Sequence, residues 1–257
     1  GVLTAEGQVI RAKYDKYKQI NRFVELVEDV LSRENRRELN ILDFGCGKSY
    51  LTFVLYHYLT KIRGMRPNMV GLDLKEEVVA RCNQTAEKYG YDRLRFLCGD
   101  IADYAPDFHP DMVVTLHACD TATDFALYNA LKWGADYILS VPCCQHEMNR
   151  SLSTERFSLL TEYGILKERL AALATDALRA RLLEYCGYQV QVLEFIDLAH
   201  SPKNLLIRAK RGSAPSAAKK ERLWGEISRC VEAFHGENTL LRLVAADGLL
   251  PGTGEGT

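Results

Sequence analysis

Short apolar runs alternate with longer amphipathic ones, and that rhythm constrains this chain more than any single motif. The runs "NILDF" (40–44), "MVGLDL" (69–74), "LRFLCG" (94–99), "DMVVTLH" (111–117) and "DYILSVP" (136–142) have strand length and strand composition. Helical patterns fill 49–62, 75–89 and 121–133, with a brief turn near Ile101. Strands joined through helices lie parallel, because an antiparallel pair needs only a tight turn whereas a parallel pair needs a crossover. After the fifth run the rhythm changes to a helical insertion over 152–186. Two further strand-like runs follow, "YQVQVLEFI" (188–196) and "NLLIRAK" (204–210), close enough to pair antiparallel.

The predicted fold is α/β: a Rossmann-like doubly wound sheet of seven strands, parallel with an antiparallel closing strand. Helices cover both faces, and the helical insertion follows strand 5. Residues 1–38 read as an N-terminal helical segment and 39–211 as the sheet domain. A linker at 211–218 leads into 212–257, read as a C-terminal helix (about 219–235) and a flexible glycine-rich tail. The chain opens on glycine within a structured pattern, which leaves room for a further N-terminal module before it. Hydrophobic residues at 47% and charged residues at 26% describe an ordinary globular core. The net charge of −1 excludes a uniformly basic nucleic-acid coat. Basic residues do cluster locally, at Lys13, Lys16, Lys18 and Arg22 and at Lys203, Arg208, Lys210 and Arg211. No apolar run approaches the ~20 residues a membrane span needs. Eight cysteines scattered through predicted strands and helices fit reduced thiols and a cytoplasmic location.

The first strand ends in "DFGCGKS". A phosphate loop, GxxxxGK[ST], would need its first glycine at Leu42, inside the strand. A dinucleotide loop, GxGxxG, would need its third at Tyr50, which is too bulky for close helix–strand packing. What remains is Asp43, Gly45, Cys46 and Gly47 between a strand and a helix N-terminus, a turn suited to an amino-acid carboxylate. Acidic residues close the next two strands. Asp73, with Leu74, is placed for ribose hydroxyls; Asp100, with Ile101, is placed for an adenine amine and ring face. Each acid alone reads equally as a helix cap. In this order, and without a phosphate loop, they fit S-adenosyl-L-methionine (SAM).

Strands four and five end in "LHACDTATD" and "SVPCCQHE", at the edge where doubly wound sheets bind ligands. His117, Asp120, Cys143, Cys144 and His146 are the candidate catalytic residues there, with His117 also beside the cofactor. Asp124 and Gln145 are candidate substrate contacts, as are His200, Lys203 and Asn204 of "HSPKN". A histidine or aspartate suits a proton-accepting role for an acceptor that carries a proton. A cysteine thiolate suits covalent activation of a pyrimidine C5. A zinc site built from Cys119, Cys143, Cys144, His117 and His146 fits less well, since adjacent cysteines depart from the usual CxxC spacing, and no metal is expected. Buried strand-end cysteines are the plainest reading of all.

The motifs "DFGCGKSYLTFVLYHYL", "GLDLK", "TLHACDTATD", "VPCCQHEMN" and "HSPKNLLIRA" resemble a bacterial family of class I SAM-dependent methyltransferases. That family shares its domain with eukaryotic methyltransferase-like proteins. The resemblance runs from about Tyr14 to Lys210. It implies SAM held by Asp43, Gly45, Gly47, Asp73 and Asp100, and a transfer pocket lined by His117, Asp120, Cys143 and Cys144. It also implies an RNA acceptor, rRNA or tRNA, or an RNA-associated one. An Asn/Asp-Pro-Pro-Tyr run after strand four is absent, which speaks against methylation of an exocyclic base amine. A protein or small-molecule methyltransferase, a covalent pyrimidine-C5 enzyme, and a SAM-fold binding module without catalysis are the alternatives.

Overall fold

Strand β1 (Asn40–Phe44) is buried beyond its first residue, as a strand covered on both faces must be. The computed structural model describes residues 8, 10–32, 34–47, 49–116, 118–195 and 205–251. Parallel to β1 lie β2 (Asn68–Asp73) on one side and β4 (Met112–Thr115) on the other. β3 (Leu94–Cys98) flanks β2, and β5 (Tyr137–Ser140) flanks β4. The remaining strands, β6 (Tyr188–Glu194) and β7 (Leu205–Arg211), complete a seven-stranded sheet of order β3-β2-β1-β4-β5-β7-β6. β7 slots between β5 and β6 and runs antiparallel to both. The expected fold is therefore the observed one.

The order reverses between β1 and β4, and the registers align the carboxyl ends at that point. Phe44 pairs with Leu72 and with Thr115, and Thr115 pairs with Ser140. Such a switch point opens a crevice between the loops that leave neighbouring strands in opposite directions. At the amino edge Arg36 holds the strands together. Its guanidinium reaches Asp111 (2.7 Å), Glu34 (2.7 Å) and Asp136 (2.9 Å), and Asp111 in turn accepts the Asn40 amide (2.7 Å).

Helices α1 (Tyr14–Leu31), α2 (Tyr50–His57, continued by a π-helical turn over Tyr58–Ile62) and α3 (Glu76–Lys88) cover one face. Their apolar stripes, with Phe23, Val27, Leu31, Leu51 and Leu55, pack on Ile41, Met69 and Val114 from the sheet. The opposite face carries α4 (Thr121–Trp133), the short α5 (His146–Ser151) and α6 (Ser158–Thr161), and α7 (Gly164–Tyr185). The insertion expected at 152–186 is thus α6 followed by the long α7.

Sequence patterning placed one helix after β7, and the structure has two: α8 (Ala217–Phe234) and α9 (Thr239–Ala246). Each starts with a side-chain cap. Ser216 accepts the Lys219 amide, and Asn238 accepts the Leu241 amide at 2.8 Å. Leu223, Ile227, Leu240 and Val244 are all fully buried in the core beneath α4 and α7. Among the described residues no helix is long and apolar enough to cross a membrane. The "HSPKN" stretch and the end of the tail (252–257) lie outside the described residues.

Leu240→Ala is expected to cost about 2–5 kcal/mol, as for other fully buried leucines. Urea unfolding checks this, and an unchanged midpoint would show that α9 does not belong to the cooperative unit.

Candidate active site

The turn after β1 is built from left-handed backbone. Gly45 (φ 65°) and Gly47 (φ 53°) both need it, and Ser49 (φ 53°) follows into α2. A side chain at either glycine would meet the steric penalty of that region, about 1–2 kcal/mol. Among the described residues nothing beyond its chain neighbours crowds Gly47: the nearest atom to a Cβ built there is the Gly45 carbonyl oxygen, 4.0 Å away. The turn is therefore strained toward an open cradle. Asp73 fixes it from the neighbouring strand: its carboxylate accepts the Gly47 amide (2.9 Å) through one oxygen and the Lys75 amide (3.0 Å) through the other.

Asp43 is buried below the turn, with one oxygen accepting from the Thr52 hydroxyl. The other, Oδ1, is buried without a partner. Burial pushes the carboxyl up to about 7, with the Thr52 hydrogen bond pulling against it and the charge of Asp73 adding to the rise. An orphaned buried acceptor beside an open cradle fits the ammonium group of an amino-acid ligand. Cys46 fits no such role. Its thiol is buried, its amide donates to the Leu72 carbonyl and its own carbonyl accepts the Ser49 amide, so it spaces the turn and offers a ligand nothing.

At the next strand ends Leu74 is 68% exposed, an apolar side chain lying open on the sheet edge. Asp100 is exposed and accepts the Ala102 amide (2.9 Å), closing its own turn, while Ile101 beside it is buried. Asn129 of α4 donates to the Ile101 carbonyl (2.7 Å) and holds that loop down. These residues stand in one row along the β1–β2–β3 edge.

The β4 and β5 ends are organised by a residue that sequence reasoning missed. Arg179 of α7 is buried, and its guanidinium grips Asp124 through both oxygens (2.9 and 2.6 Å), Asp176 (3.0 Å) and the Asp120 carbonyl (3.0 Å). Gln145 donates to the second oxygen of Asp176 (3.1 Å). This corrects two expectations. Asp124 and Gln145 do not face a substrate: both are buried, and they anchor their loops to α7. The available signal was an Asp-x-x-Arg pair, Asp176 and Arg179, inside an otherwise apolar stretch of helix.

Asp120 sits at φ 53°, ψ −123°, a conformation that non-glycine residues adopt only when their surroundings impose it. Its carboxylate accepts the Glu147 amide (3.0 Å) and so caps α5, whose first residue, His146, is exposed. Glu147 reaches on to α9, accepting from the Thr239 amide (2.8 Å) and hydroxyl (2.6 Å) and from Arg242 (3.2 Å). Cys119, Cys143 and Cys144 gather between the two loops. Burial and the two neighbouring thiols push the Cys143 thiol well above its ordinary range. His117, His200, Lys203 and Asn204 lie outside the described residues. An apolar groove of about 700 Å³ lined by Tyr50, Phe53, Val78, Tyr89 and Tyr91 lies among α1, α2 and α3, apart from the acceptor loops.

Solved structures show the same fold. Magnesium protoporphyrin IX methyltransferase from Synechocystis PCC 6803, solved with SAH, aligns with a TM-score of 0.50 at 17% identity, covering 80% of this chain and 89% of that one. The CMeT domain of the citrinin polyketide synthase aligns with a TM-score of 0.50 at 16% identity, covering 76% and 52%. Fold and family match together define a methyltransferase domain. A family described as a methyltransferase domain matches residues 15–151, just over half of the chain, and the chain belongs to that family. Curated relatives include the "Glutathione S-transferase C-terminal domain-containing protein" of Homo sapiens, 25% identical over 219 residues, and that of Mus musculus, 24% identical. The alignments cover 75% of this chain and 32% of the relatives, so the chain spans about a third of their length.

Arg179→Leu leaves two carboxylates buried without their cation, and is expected to cost about 3–5 kcal/mol. Replacing Asp124, Asp176 and Arg179 together with apolar residues of similar volume should cost less than that single change; urea denaturation of both variants measures the difference. Asp43 makes a second, signed prediction. Its carboxyl stays protonated in the fold up to about pH 7 but ionises near 3.8 when unfolded. Its stabilising contribution in ligand-free protein is therefore complete below that lower value and is lost as pH rises toward 7, at up to about 1.4 kcal/mol per pH unit. Asp43→Asn should gain on the parent between about pH 4 and 7 and then level off. A pH-independent difference in unfolding midpoint would rule this out.

Proposed function

We propose that the chain transfers the SAM methyl group to an RNA, or to an RNA-associated acceptor. One observation carries the donor half of this reading. The Asp73 carboxylate holds the Gly47 amide, leaving the Gly45–Gly47 cradle open above a buried, unpartnered Asp43 oxygen. In that reading Asp43 and the turn hold the amino-acid end, Asp73 the ribose, and Leu74, Asp100 and Ile101 the adenine. When bound, SAM supplies an electrophilic methyl on its sulfonium. The protein's own contribution is to hold the acceptor in line with it, which is most of the catalysis such a displacement needs. Asp120 and His146 are the groups on the acceptor edge able to take a proton if the acceptor carries one.

Exposed cations support a polyanionic acceptor. Lys16 stands over the Tyr50 ring, 3.9 Å from its centroid, and Gln19 accepts from the Tyr50 hydroxyl (2.6 Å). This seats the start of α1, with exposed Lys16 and Lys18, and the 3-10 turn before it, with exposed Arg11 and Lys13, beside the helix that leaves the glycine turn. Arg150 of α5 is exposed on the acceptor side. The covalent alternative through Cys143 is not favoured, because a thiol pushed upward resists the thiolate form that attack requires.

Calorimetry with SAM should show binding, weakened at least tenfold by Asp73→Ala, which removes both a ligand acceptor and the anchor of the turn. Labelled SAM offered with rRNA, tRNA and lysate protein should place the label in RNA. Lys13→Glu, Lys16→Glu and Lys18→Glu together should lower RNA labelling and flatten its salt dependence while SAM affinity holds. Label found only in protein would overturn the RNA reading, and an intact fold that ignores SAM would overturn the donor site.

A further inference from the structure

Two loops bring three sulfurs to one point. The Cys119 Sγ lies 3.1 Å from the Cys143 Sγ, and the Cys143 Sγ lies 3.7 Å from that of Cys144. All three lie within 4.8 Å of one another. Zinc bound by thiolates has Zn–S bonds of about 2.3 Å, and tetrahedral angles then set the sulfur–sulfur edges near 3.8 Å. The Cys143–Cys144 edge already matches that length, and the Cys119–Cys143 edge needs to widen by less than about 1 Å.

The frame around the thiols is rigid and shared. Cys119 is followed by Asp120, which caps α5 through the Glu147 amide, and by Asp124, gripped by Arg179. Cys144 is followed by Gln145, bonded to Asp176, which Arg179 also holds. Both ligand-bearing loops are thus pinned to one buried guanidinium, and the strands beneath them are in register at Thr115 and Ser140. Buried hydrogen-bonded supports of this kind fix the directions of metal ligands.

We infer that Cys119, Cys143 and Cys144 form a thiolate site for zinc at the acceptor edge, three of its ligands coming from the described residues. Soft sulfur donors select zinc over magnesium or calcium. Cys119 is exposed while Cys143 and Cys144 are half-buried, so an ion there is reachable from solvent on one side only. Metal binding releases the thiol protons, so occupancy rises with pH. The inference stands on the cysteines alone and does not depend on the identity of the acceptor.

The test uses the full chain, reduced, freed of metal and then offered zinc chloride, with unbound ion removed before elemental analysis. One zinc per chain is expected. Cobalt(II) in its place should give a thiolate-to-metal charge-transfer band in the near ultraviolet. Cys119→Ser, Cys143→Ser and Cys144→Ser should each weaken zinc binding at least tenfold, whereas Cys98→Ser, an exposed cysteine outside the cluster, should keep it. Circular dichroism checks that each variant is folded, and the cobalt spectrum of the parent keeps the test valid if one is not. Folded, reduced protein that takes up neither ion would overturn the site. So would three serine variants that all retain one zinc, or a Cys119–Cys143 disulfide found as the resting state in place of metal.

Discussion

Arg179 is the group on which the acceptor half of the molecule depends. A buried guanidinium has lost its water, and the loss is tolerable only when carboxylates and carbonyls surround it. Those partners come from three places: Asp176 from its own helix, the Asp120 carbonyl and Asp124 from the end of the loop after β4 and the first turn of α4, and Gln145, through Asp176, from the loop after β5. Once α7 packs on the sheet, both loops are drawn to fixed positions. The thiol cluster, the strained Asp120 backbone and the start of α5 all follow from that one desolvated charge. Of this network, only the Gln145 carbonyl oxygen is left buried without a protein partner.

The donor half rests on a different principle. Its parts are backbone conformations and strand ends: two left-handed glycines, an aspartate at the end of the next strand that ties down their turn, and an apolar edge. Each is local, set within a few residues of a strand terminus. That locality is why this half was legible in sequence. The limits of β1 and α4 read directly from "NILDF" and from 121–133, because apolar period and turn residues change sharply at both ends. The order Asp43, Asp73, Asp100 followed from the strands that carry them.

The acceptor half was less legible for a physical reason. Asp124 in "CDTATD" and Gln145 in "PCCQH" look like groups aimed at a ligand, and only the position of α7 shows that they are turned inward. Arg179 shares its helix with Arg169 and Arg181, and only Asp176, three positions before it, marks it locally as the buried one. The grouping of the thiols was hidden the same way. Sequence spacing compares cysteines within one loop, whereas Cys119 reaches Cys143 and Cys144 from the loop of the neighbouring strand. Helix α9 was missed because its "TLLRLVAA" is short; its Asn238 cap was the available sign.

Glu147 adds a constraint in time. The residue that follows His146 is held by Thr239 and Arg242, almost a hundred positions later in the chain, and β7 must enter between β5 and β6 before the sheet is closed. Domains made on a ribosome begin folding from the end that emerges first. The strand–turn–helix units that form the donor cradle need only β1 to β3 and can assemble before α9 exists. The acceptor side has to wait for α9. Chain order therefore sets the cradle ahead of its neighbour, with the β5 edge open to whatever strand reaches it until β7 is in place.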